Sequence, residues 1–362
     1  MLLLCLAFIY CVISFEHRNI FIGYVDEIII YDPNMNYINT IRPPVIWLFT
    51  KSKRDWPDLE AKSMDFDSEG NLYVIWQSPE LYNTNNGELI INIQLVSKYD
   101  RNGRYIEDII HNEYCSDVIT KCLISSIPNV NCIIGTFVKI IINSQNIILI
   151  THLLDSGYEL LTFNSEGKQL ATIIDKSDKA KLSTMTIATD KCTIIFFTLN
   201  RNIKIQNTCT KSSSSILIES NYLSDISGIT SIYYKIDRYQ KLSCKGCDHF
   251  IQWVKVVILT YSGMYSIRFI KDFFPTTDEC MAIILDTFPA PKCQGSIMCY
   301  TTSSAAILDE NIIYMGDYLY GNLFQYNLTT GIVFEIEFPK KMLDTGYKVI
   351  PAQLISLAVY SD

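Results

Sequence analysis

Two neighbouring stretches of the sequence share one pattern, in which a short apolar strand, a turn and a second apolar strand follow each other. The first stretch, AKSMDFDSEGNLYVIW, begins at Ala61 and has its turn at residues 67–70. The second, LVSKYDRNGRYIEDII, begins at Leu95 and has its turn at residues 100–103. Asp-x-x-Gly and Asn-Gly turns suit hairpins, because Gly and Asn accept positive φ. The pattern therefore predicts four consecutive antiparallel strands.

Further copies of this four-strand unit span residues 136–174 and 305–338, and others begin at Ser183 and Gly228. A sixth copy is split between the chain ends. The C-terminal AQLISLAVYSD provides a first strand, and NIFIGYVDEIIIYDPNMNYINTI provides strands two to four. We therefore predict an all-β fold, a six-bladed β-propeller of four-stranded antiparallel blades closed by pairing of the N- and C-terminal strands in one blade. The alternative is that the two ends are unrelated edge strands of a sandwich.

Composition agrees with one large β domain. Hydrophobic residues make up 49% of the 362 residues and charged residues 19%, which excludes a disordered chain and permits a sizeable core. The 23 Tyr and 17 Phe favour strands. The net charge of −8 argues against a nucleic acid as partner.

The best copy resembles the NHL-type repeats of six-bladed propellers. The matching segments are DFDSEGNLYV at residues 65–74 and YDRNG at residues 99–103. The fourth and fifth copies depart from this pattern, because their turns lack the glycines. The resemblance implies architecture, and propellers of this kind serve as binding platforms, receptor modules or metal-dependent hydrolases.

The first residues of the sequence predict that the protein is secreted. Residues 1–14 (MLLLCLAFIYCVIS) form an apolar run shorter than the ~20 residues of a membrane-spanning helix, and fit a signal peptide cleaved after Ser14. The alternative is a buried first strand. We predict a secreted, extracellular protein with no membrane span after cleavage, in which residues 15–362 form a single propeller domain.

Ten of the 12 cysteines lie beyond the predicted signal peptide. Ten is an even number, as a framework of disulfides requires. Pairing Leu199 with Asn202 across a two-residue turn places Cys192 opposite Cys209. At a non-hydrogen-bonded site the Cα atoms would be about 4.5 Å apart, which suits a disulfide. We therefore predict a Cys192–Cys209 bridge, which a register slip of one residue would exclude.

The other bridges are predicted from proximity in sequence. Cys244 and Cys247 form a CxxC pair in a turn with no helix, so a structural disulfide is favoured over a redox site. The remaining local pairs are Cys115 with Cys122 and Cys293 with Cys299, which leaves Cys132 and Cys280. The sequon at Asn327 lies in a predicted hairpin turn and is a candidate for N-glycosylation.

Four long segments break the repeat, at residues 42–60, 77–93, 111–131 and 287–301. In a propeller, the connections between blades and the loops between second and third strands gather on one side. We call this side the long-loop face. Aromatic residues and Arg are enriched in binding hot spots. The candidate binding residues are Trp47, Lys51, Lys53, Arg54, Trp56, Tyr82 and Tyr114. The alternatives are that each Trp fills a gap between blades and that the basic run 51–54 is a solvated turn.

The sequence contains no complete catalytic motif. Residues 65–70 resemble the start of a calcium loop, but the twelfth position is Trp76, so these acids are interpreted as turn formers. We predict a module that binds an extracellular protein or small ligand through the long-loop face, with no cofactor. The alternative is a calcium-dependent esterase or lactonase with a Ca²⁺ site in the central channel. A third possibility is a structural component of a matrix or coat.

Overall fold

The computed structural model describes only part of the chain. The described residues are 18–44, 59–77, 82–83, 90–115, 132–133, 136–154, 157–172, 182–187, 193–198, 202–207, 212–217, 229–241, 250–260, 263–270, 283–289, 301–309, 312–317, 321–327, 330, 332–339, 341–344, 349–351 and 355–360. Within them, every regular element is a β-strand, as predicted. None of the described segments is a helix long and apolar enough to cross a membrane.

One sheet, sheet A, joins the two ends of the described chain. It contains β1 (Ile20–Gly23), β2 (Ile28–Tyr31), β3 (Tyr37–Ile41) and β28 (Ser356–Val359), in the order β28-β1-β2-β3. The C-terminal strand runs antiparallel to β1, with Ile20 opposite Val359 and Gly23 opposite Ser356. The chain ends therefore supply the strands that the split copy predicts.

Five further sheets follow in chain order. Sheet B contains β4 (Glu60–Phe66), β5 (Leu72–Gln77), β6 (Tyr82–Asn83), β7 (Ile90–Tyr99), β8 (Tyr105–Cys115) and β9 (Cys132–Ile133). Sheet C contains β10 (Thr136–Ile142), β11 (Ile148–Leu154), β12 (Gly157–Phe163) and β13 (Gln169–Thr172). Sheet D contains β14 (Leu182–Ile187), β15 (Thr193–Thr198), β16 (Asn202–Asn207) and β17 (Ser212–Leu217).

Sheets E and F complete the series. Sheet E contains β18 (Ile229–Lys241), β19 (Phe250–Thr260), β20 (Gly263–Ile270) and β21 (Ile283–Pro289). Sheet F contains β22 (Thr301–Asp309), β23 (Ile312–Asp317), β24 (Leu323–Asn327) and β25 (Val333–Ile336). A separate hairpin pairs β26 (Met342–Asp344) with β27 (Val349–Pro351). The predicted copies correspond to sheets B to F, but the sequence did not predict β6, β9, β26 or β27. It also did not locate β17 and β21, the fourth strands of the copies that begin at Ser183 and Gly228.

Five turns on the side opposite the long-loop face share one hydrogen-bond pattern. In each turn, Oδ1 of the first residue accepts the N–H groups of the residues two and four positions later. The first residues are Asp32, Asp67, Asp100, Asn143 and Asn164. The fourth residues have positive φ and are Met35, Gly70, Gly103, Asn146 and Gly167. Asp67 is therefore a turn former, as predicted, and Asp100 closes its own turn in the same way. The prediction is wrong for Asp65, which lies in β4 and accepts the N–H of Ile142.

Neighbouring first strands are joined by side chains. β28 lies against β4, and β4 lies against β10. Ser356 Oγ donates to the backbone oxygen of Ala61, and the N–H of Ile140 donates to Ser63 Oγ at 3.2 Å. Because side chains satisfy these edge groups, the first strands of sheets A, B and C do not present bare edges to each other.

The core between sheets A and B contains a buried hydrogen-bond chain. Trp76 Nε1 donates to Tyr99 Oη at 2.9 Å, and Tyr99 Oη donates to the backbone oxygen of Arg42 at 3.1 Å. Both rings are fully buried. Tyr99 thereby fixes the point at which the chain leaves sheet A for the segment 42–60.

We expect Tyr99→Phe to lower the free energy of unfolding by about 1–3 kcal/mol, because it leaves the indole N–H of Trp76 buried without an acceptor. Urea unfolding followed by tryptophan fluorescence measures this loss. Tyr105→Phe is the control, since Tyr105 is exposed, and should change stability by less than about 0.5 kcal/mol. Equal effects of the two substitutions would contradict the assignment.

Among the strands that extend into the predicted long segments are β8 and β21. β8 continues to Cys115, so the strand includes the first residues of the predicted segment 111–131. β21 continues to Pro289, which overlaps the predicted segment 287–301. In both cases pairing with the neighbouring strand extends the strand past the point where the apolar alternation ends.

The register predicted for the Cys192–Cys209 bridge is also wrong by one residue. In the structure Phe197 pairs with Ile203 and Thr193 pairs with Asn207, whereas the prediction pairs Leu199 with Asn202. The connection between β15 and β16 holds one more residue than the assumed two-residue turn, and this shifts every later pair. The two cysteines themselves lie outside the described residues, and the observed register removes the geometric support for their predicted bridge.

Candidate functional site

Most of the predicted binding residues lie outside the described residues. These are Trp47, Lys51, Lys53, Arg54 and Trp56. The same holds for Cys122, Cys244, Cys247, Cys293 and Cys299, and Cys115 is described only as the last residue of β8. The proposed disulfides therefore stay predictions.

The other two predicted residues, Tyr82 and Tyr114, belong to one extension of sheet B. Gln77, the last residue of β5, pairs with Gln94, yet β7 begins four residues earlier, at Ile90. The extra part of β7 pairs with β6 on one side and with β8 on the other. Tyr82 pairs with Ile91 and Tyr114 pairs with Asn92, so the two tyrosines flank β7 at adjacent positions.

A parallel strand widens this extension. β9 pairs with the end of β8, with Cys132 opposite Glu113 and Ile133 opposite Tyr114. We call β6, β9, residues 90–93 of β7 and residues 111–115 of β8 the ledge. It projects past the end of β5 on the long-loop face, where the sequence predicted an insertion.

The turn between β1 and β2 holds the described end of the segment 42–60. Asp26 Oδ1 accepts the N–H of Leu59 at 2.8 Å, and the N–H of Asp26 donates to the backbone oxygen of Leu59 at 2.8 Å. The same turn receives Lys341, whose Nζ lies 2.9 Å from Glu27 Oε1 and 5.6 Å from the centre of the Tyr24 ring. This part of the long-loop face is therefore fixed by hydrogen bonds.

A second feature lies between sheets B and C, where an apolar core ends in a polar layer. Apolar side chains from both sheets fill this interface, among them Ile75, Val96, Ile150 and Leu161. Residues two positions apart on a strand point to the same side. The next residues on this side, towards the long-loop face, are Gln77, Gln94, His152 and Glu159.

Backbone pairing aligns these polar residues. Gln77 pairs with Gln94 in sheet B, and His152 pairs with Glu159 in sheet C. Glu60 at the start of β4 pairs with Gln77 and extends the layer. We call Glu60, Gln77, Gln94, His152 and Glu159 the polar rung.

Hydrogen bonds hold parts of the polar rung. His152 Nδ1 lies 3.0 Å from Glu159 Oε1, and Gln94 Oε1 accepts the N–H of Phe137 at 2.6 Å across the interface. Lys62 Nζ lies 2.9 Å from Glu60 Oε2. His152 is 2% exposed, and Gln77, Glu60 and Glu159 are each 8% exposed. The polar rung is thus a buried, acceptor-rich layer at the long-loop end of the interface.

The sequence analysis did not identify the polar rung. A signal was present, because the apolar alternation Ile148, Ile150 continues in phase to His152. No sequence signal shows that this end of β11 lies at the same interface as the end of β5. That information comes only from the packing of two sheets.

The predicted calcium site in the central channel stays untested. Asp65, on a first strand, accepts the N–H of Ile142 at 2.7 Å. Burial lowers the pKa of Lys139 to about 8, and the charge of Asp65 opposes this shift. In the part of the chain that the structure describes, no group of three or more His, Cys, Asp or Glu residues could hold a metal ion.

The glycosylation candidate Asn327 ends β24 and begins the turn to β25, as predicted. Its Oδ1 accepts the N–H of Thr330 at 3.0 Å. Thr330 is exposed. The sequon therefore starts at a hairpin turn, and the glycan itself stays a prediction.

No family model matches the sequence, and no curated protein matches it. Among solved structures, a chain of the "Crystal structure of Nidogen/Laminin Complex" is similar, with a TM-score of 0.50 and 8% identity, covering 94% of this chain and 97% of that chain. The "Crystal structure of Myceliophteria_thermophila Cps50 (Swd1) beta-propeller domain" gives a TM-score of 0.44 and 12% identity, covering 91% and 89%. The chain has an all-β propeller fold, as its sheets and the first similarity show.

Proposed function

We propose that this propeller is a binding module that recognises a protein partner through its long-loop face. The ledge is the observation that carries the proposal. On the opposite side, turns closed by their own side chains leave little backbone to engage a partner. On the long-loop face, the ledge of sheet B projects past the end of β5 and places Tyr82 and Tyr114 on either side of β7. A rigid strand extension loses little conformational entropy on binding.

The similar solved chain comes from a complex of nidogen and laminin, which is compatible with a protein partner. That likeness concerns the fold alone. The choice of a protein over a small ligand therefore rests on the width of the ledge, since four strands offer an extended surface instead of a cleft.

We further propose a ring of six blades closed through sheet A. The contacts between first strands support this arrangement, since they follow the order β28, β4, β10, β14, β18, β22 and return to β28. Proteolysis is the test, because a closed ring should resist a protease until global unfolding, whereas an open one should lose terminal sheets first.

Secretion is part of the proposal. The apolar residues 1–14, the even number of cysteines after them and the exposed turn at Asn327 support it. Expression of the full chain in a secreting eukaryotic host should give a medium-borne protein that begins at residue 15. Its mass should fall after treatment with an N-glycosidase.

We expect a variant without the ledge hairpin to lose partner binding. Replacing residues 78–93 with Asn-Gly closes a two-residue hairpin on the existing Gln77–Gln94 pair, so the blade should still form. The protein of residues 15–362 is immobilised, and its cross-linked partners from extracellular fluid are quantified by mass spectrometry. A specific partner should fall by more than about tenfold in the variant.

The control carries Glu166→Ala and Lys168→Ala, on an exposed turn of the opposite side. It should retain full binding. If the control loses binding and the ledge variant keeps it, the recognising surface is on the other side of the propeller. Thermal unfolding of both variants shows whether a loss of binding reflects a loss of fold.

A further inference from the structure

Two acceptor atoms of the polar rung are buried without a donor. Gln77 Oε1 and Glu159 Oε2 each have less than 1 Å² of exposed surface and no hydrogen-bond partner among the described residues. Leaving a buried acceptor unsatisfied costs about 1–3 kcal/mol, and more for a charged group. Two such acceptors lie in one layer, and a donor from outside the described residues would satisfy them.

The carboxylate of Glu159 favours a positively charged hydrogen-bond donor. Glu60 is compensated by Lys62, whereas Glu159 contacts no Lys or Arg among the described residues and meets only the imidazole of His152. A buried carboxylate is stabilised most by a positively charged donor, because charge-assisted hydrogen bonds are about twice as strong as neutral ones. The net charge of −8 also favours encounter with a basic partner.

We propose that the polar rung binds a basic side chain, lysine or arginine, supplied by the protein partner. This inference rests on the proposed function, because it places the partner's charge at the long-loop end of the interface between sheets B and C. The ammonium or guanidinium group donates to Glu159 Oε2, and Gln77 Oε1 is a further acceptor of the same polar layer. The stem of the basic residue enters from the long-loop face, beside the ledge, and side chains of the polar rung must move apart to admit it, because both acceptors are buried.

Two other occupants fit less well. A divalent metal ion needs several acidic or imidazole ligands together, and the described residues form no group of three. An ordered water can donate to both acceptors, but it brings no charge to Glu159. Both occupants are distinguished from a basic side chain by the experiment.

N-acetyl-argininamide and N-acetyl-lysinamide are the probes, and N-acetyl-citrullinamide is the neutral control of the same shape as the arginine probe. The protein of residues 15–362 is labelled with ¹⁵N-histidine, and the imidazole signals of His152 are followed by NMR during titration. We expect at least one basic probe to saturate in about the millimolar range, and citrulline to bind at least about tenfold more weakly.

Substitutions locate the site. Glu159→Gln keeps the shape and removes the charge, and should weaken the basic probe by more than about tenfold. Gln77→Met removes the second acceptor at similar volume and provides an independent test if Glu159→Gln fails to fold. Glu166→Gln, on an exposed turn of the same sheet, should leave binding unchanged.

Several outcomes would overturn the inference. Equal binding of the citrulline and arginine probes would show that charge is not recognised. A response of His152 to CaCl₂ or ZnCl₂ but to no basic probe would assign a metal site, and no response to any of them would leave an ordered water only. If the probes bind but removal of residues 78–93 leaves partner capture intact, the proposed recognition surface fails while the cation site stands.

Discussion

A chain that ends before residue 355 should not fold cooperatively. The truncation removes β28, which supplies the first strand of sheet A and pairs with all four residues of β1. Leu357, Ala358 and Val359 are buried, and they belong to the two apolar clusters on either side of the sheet. Losing two large buried side chains costs about 3–6 kcal/mol, and unpaired backbone groups on β1 add to this. Such a loss is comparable with the whole stability of many domains.

Far-ultraviolet circular dichroism during heating measures the effect. The full chain should show one cooperative transition, and the truncated chain a broad change or aggregation. Removing only residues 361–362 is the matched control, because among the described residues the last hydrogen bonds to the N-terminal segment come from Tyr360. The prediction is wrong if the chain ending at residue 354 unfolds within about 3 °C of the full chain.

A circular permutant tests the same point from the other direction. The N–H of Arg18 donates to the backbone oxygen of Tyr360 at 2.7 Å, so a short glycine-rich linker can join the two ends. New ends placed in the turn at residues 101–102 should be tolerated, since Asn102 and its neighbours lie at the surface. The permutant should recover most of the stability of the native chain, because it keeps β28 beside β1.

The sequence predicted the parts of the fold that depend on local chemistry. Asp67 and Gly70 define a turn within five residues, because the side chain of the first and the positive φ of the second satisfy that turn alone. The pairing of the chain ends was also predictable. With four strands in each copy, the C-terminal segment provides only a first strand and the N-terminal segment only strands two to four, so the two segments complete one copy.

Features that depend on how two sheets meet could not be predicted. The bond from the N–H of Ile140 to Ser63 Oγ joins residues that are 77 positions apart, and nothing in either sequence neighbourhood specifies it. The polar rung has the same origin, since Gln77 and His152 become neighbours of one interface only when sheet B packs on sheet C.

Registers were predictable only where a turn was defined by its residues. The connection between β15 and β16 lacks a glycine, and the assumed two-residue turn was one residue short. The first strands of sheets B and C also contain β-bulges that the sequence pattern did not predict. Bulges fall near their starts, at Lys62 in β4 and at Val138 in β10, each an extra residue that shifts the alternation.

Gly167→Ala should be among the most destabilising single substitutions in the described chain. Gly167 is the fourth residue of the turn between β12 and β13, with φ of +78°. A methyl group there would overlap the backbone oxygen of Ile109, which lies at a bulge of β8. The overlap cannot be relieved by a side-chain rotation, since the backbone of residue 167 fixes the position of the methyl group and the oxygen belongs to the backbone of Ile109. We expect a loss of about 3 kcal/mol or more, beyond the 1–2 kcal/mol of left-handed strain.

Gly70→Ala provides the control, because Gly70 holds the same position in its own turn, with φ of +82°. A methyl group there meets the hydroxyl end of the Tyr360 side chain at 2.7 Å, and that side chain can rotate away. Its cost should therefore be close to the backbone strain alone, about 1–2 kcal/mol. Urea unfolding of both variants gives the difference, which isolates the contact between sheets B and C from the strain of the turn. Costs that agree within about 0.5 kcal/mol would show that Ile109 moves aside freely, and that the outer strands of the two sheets are not held in contact.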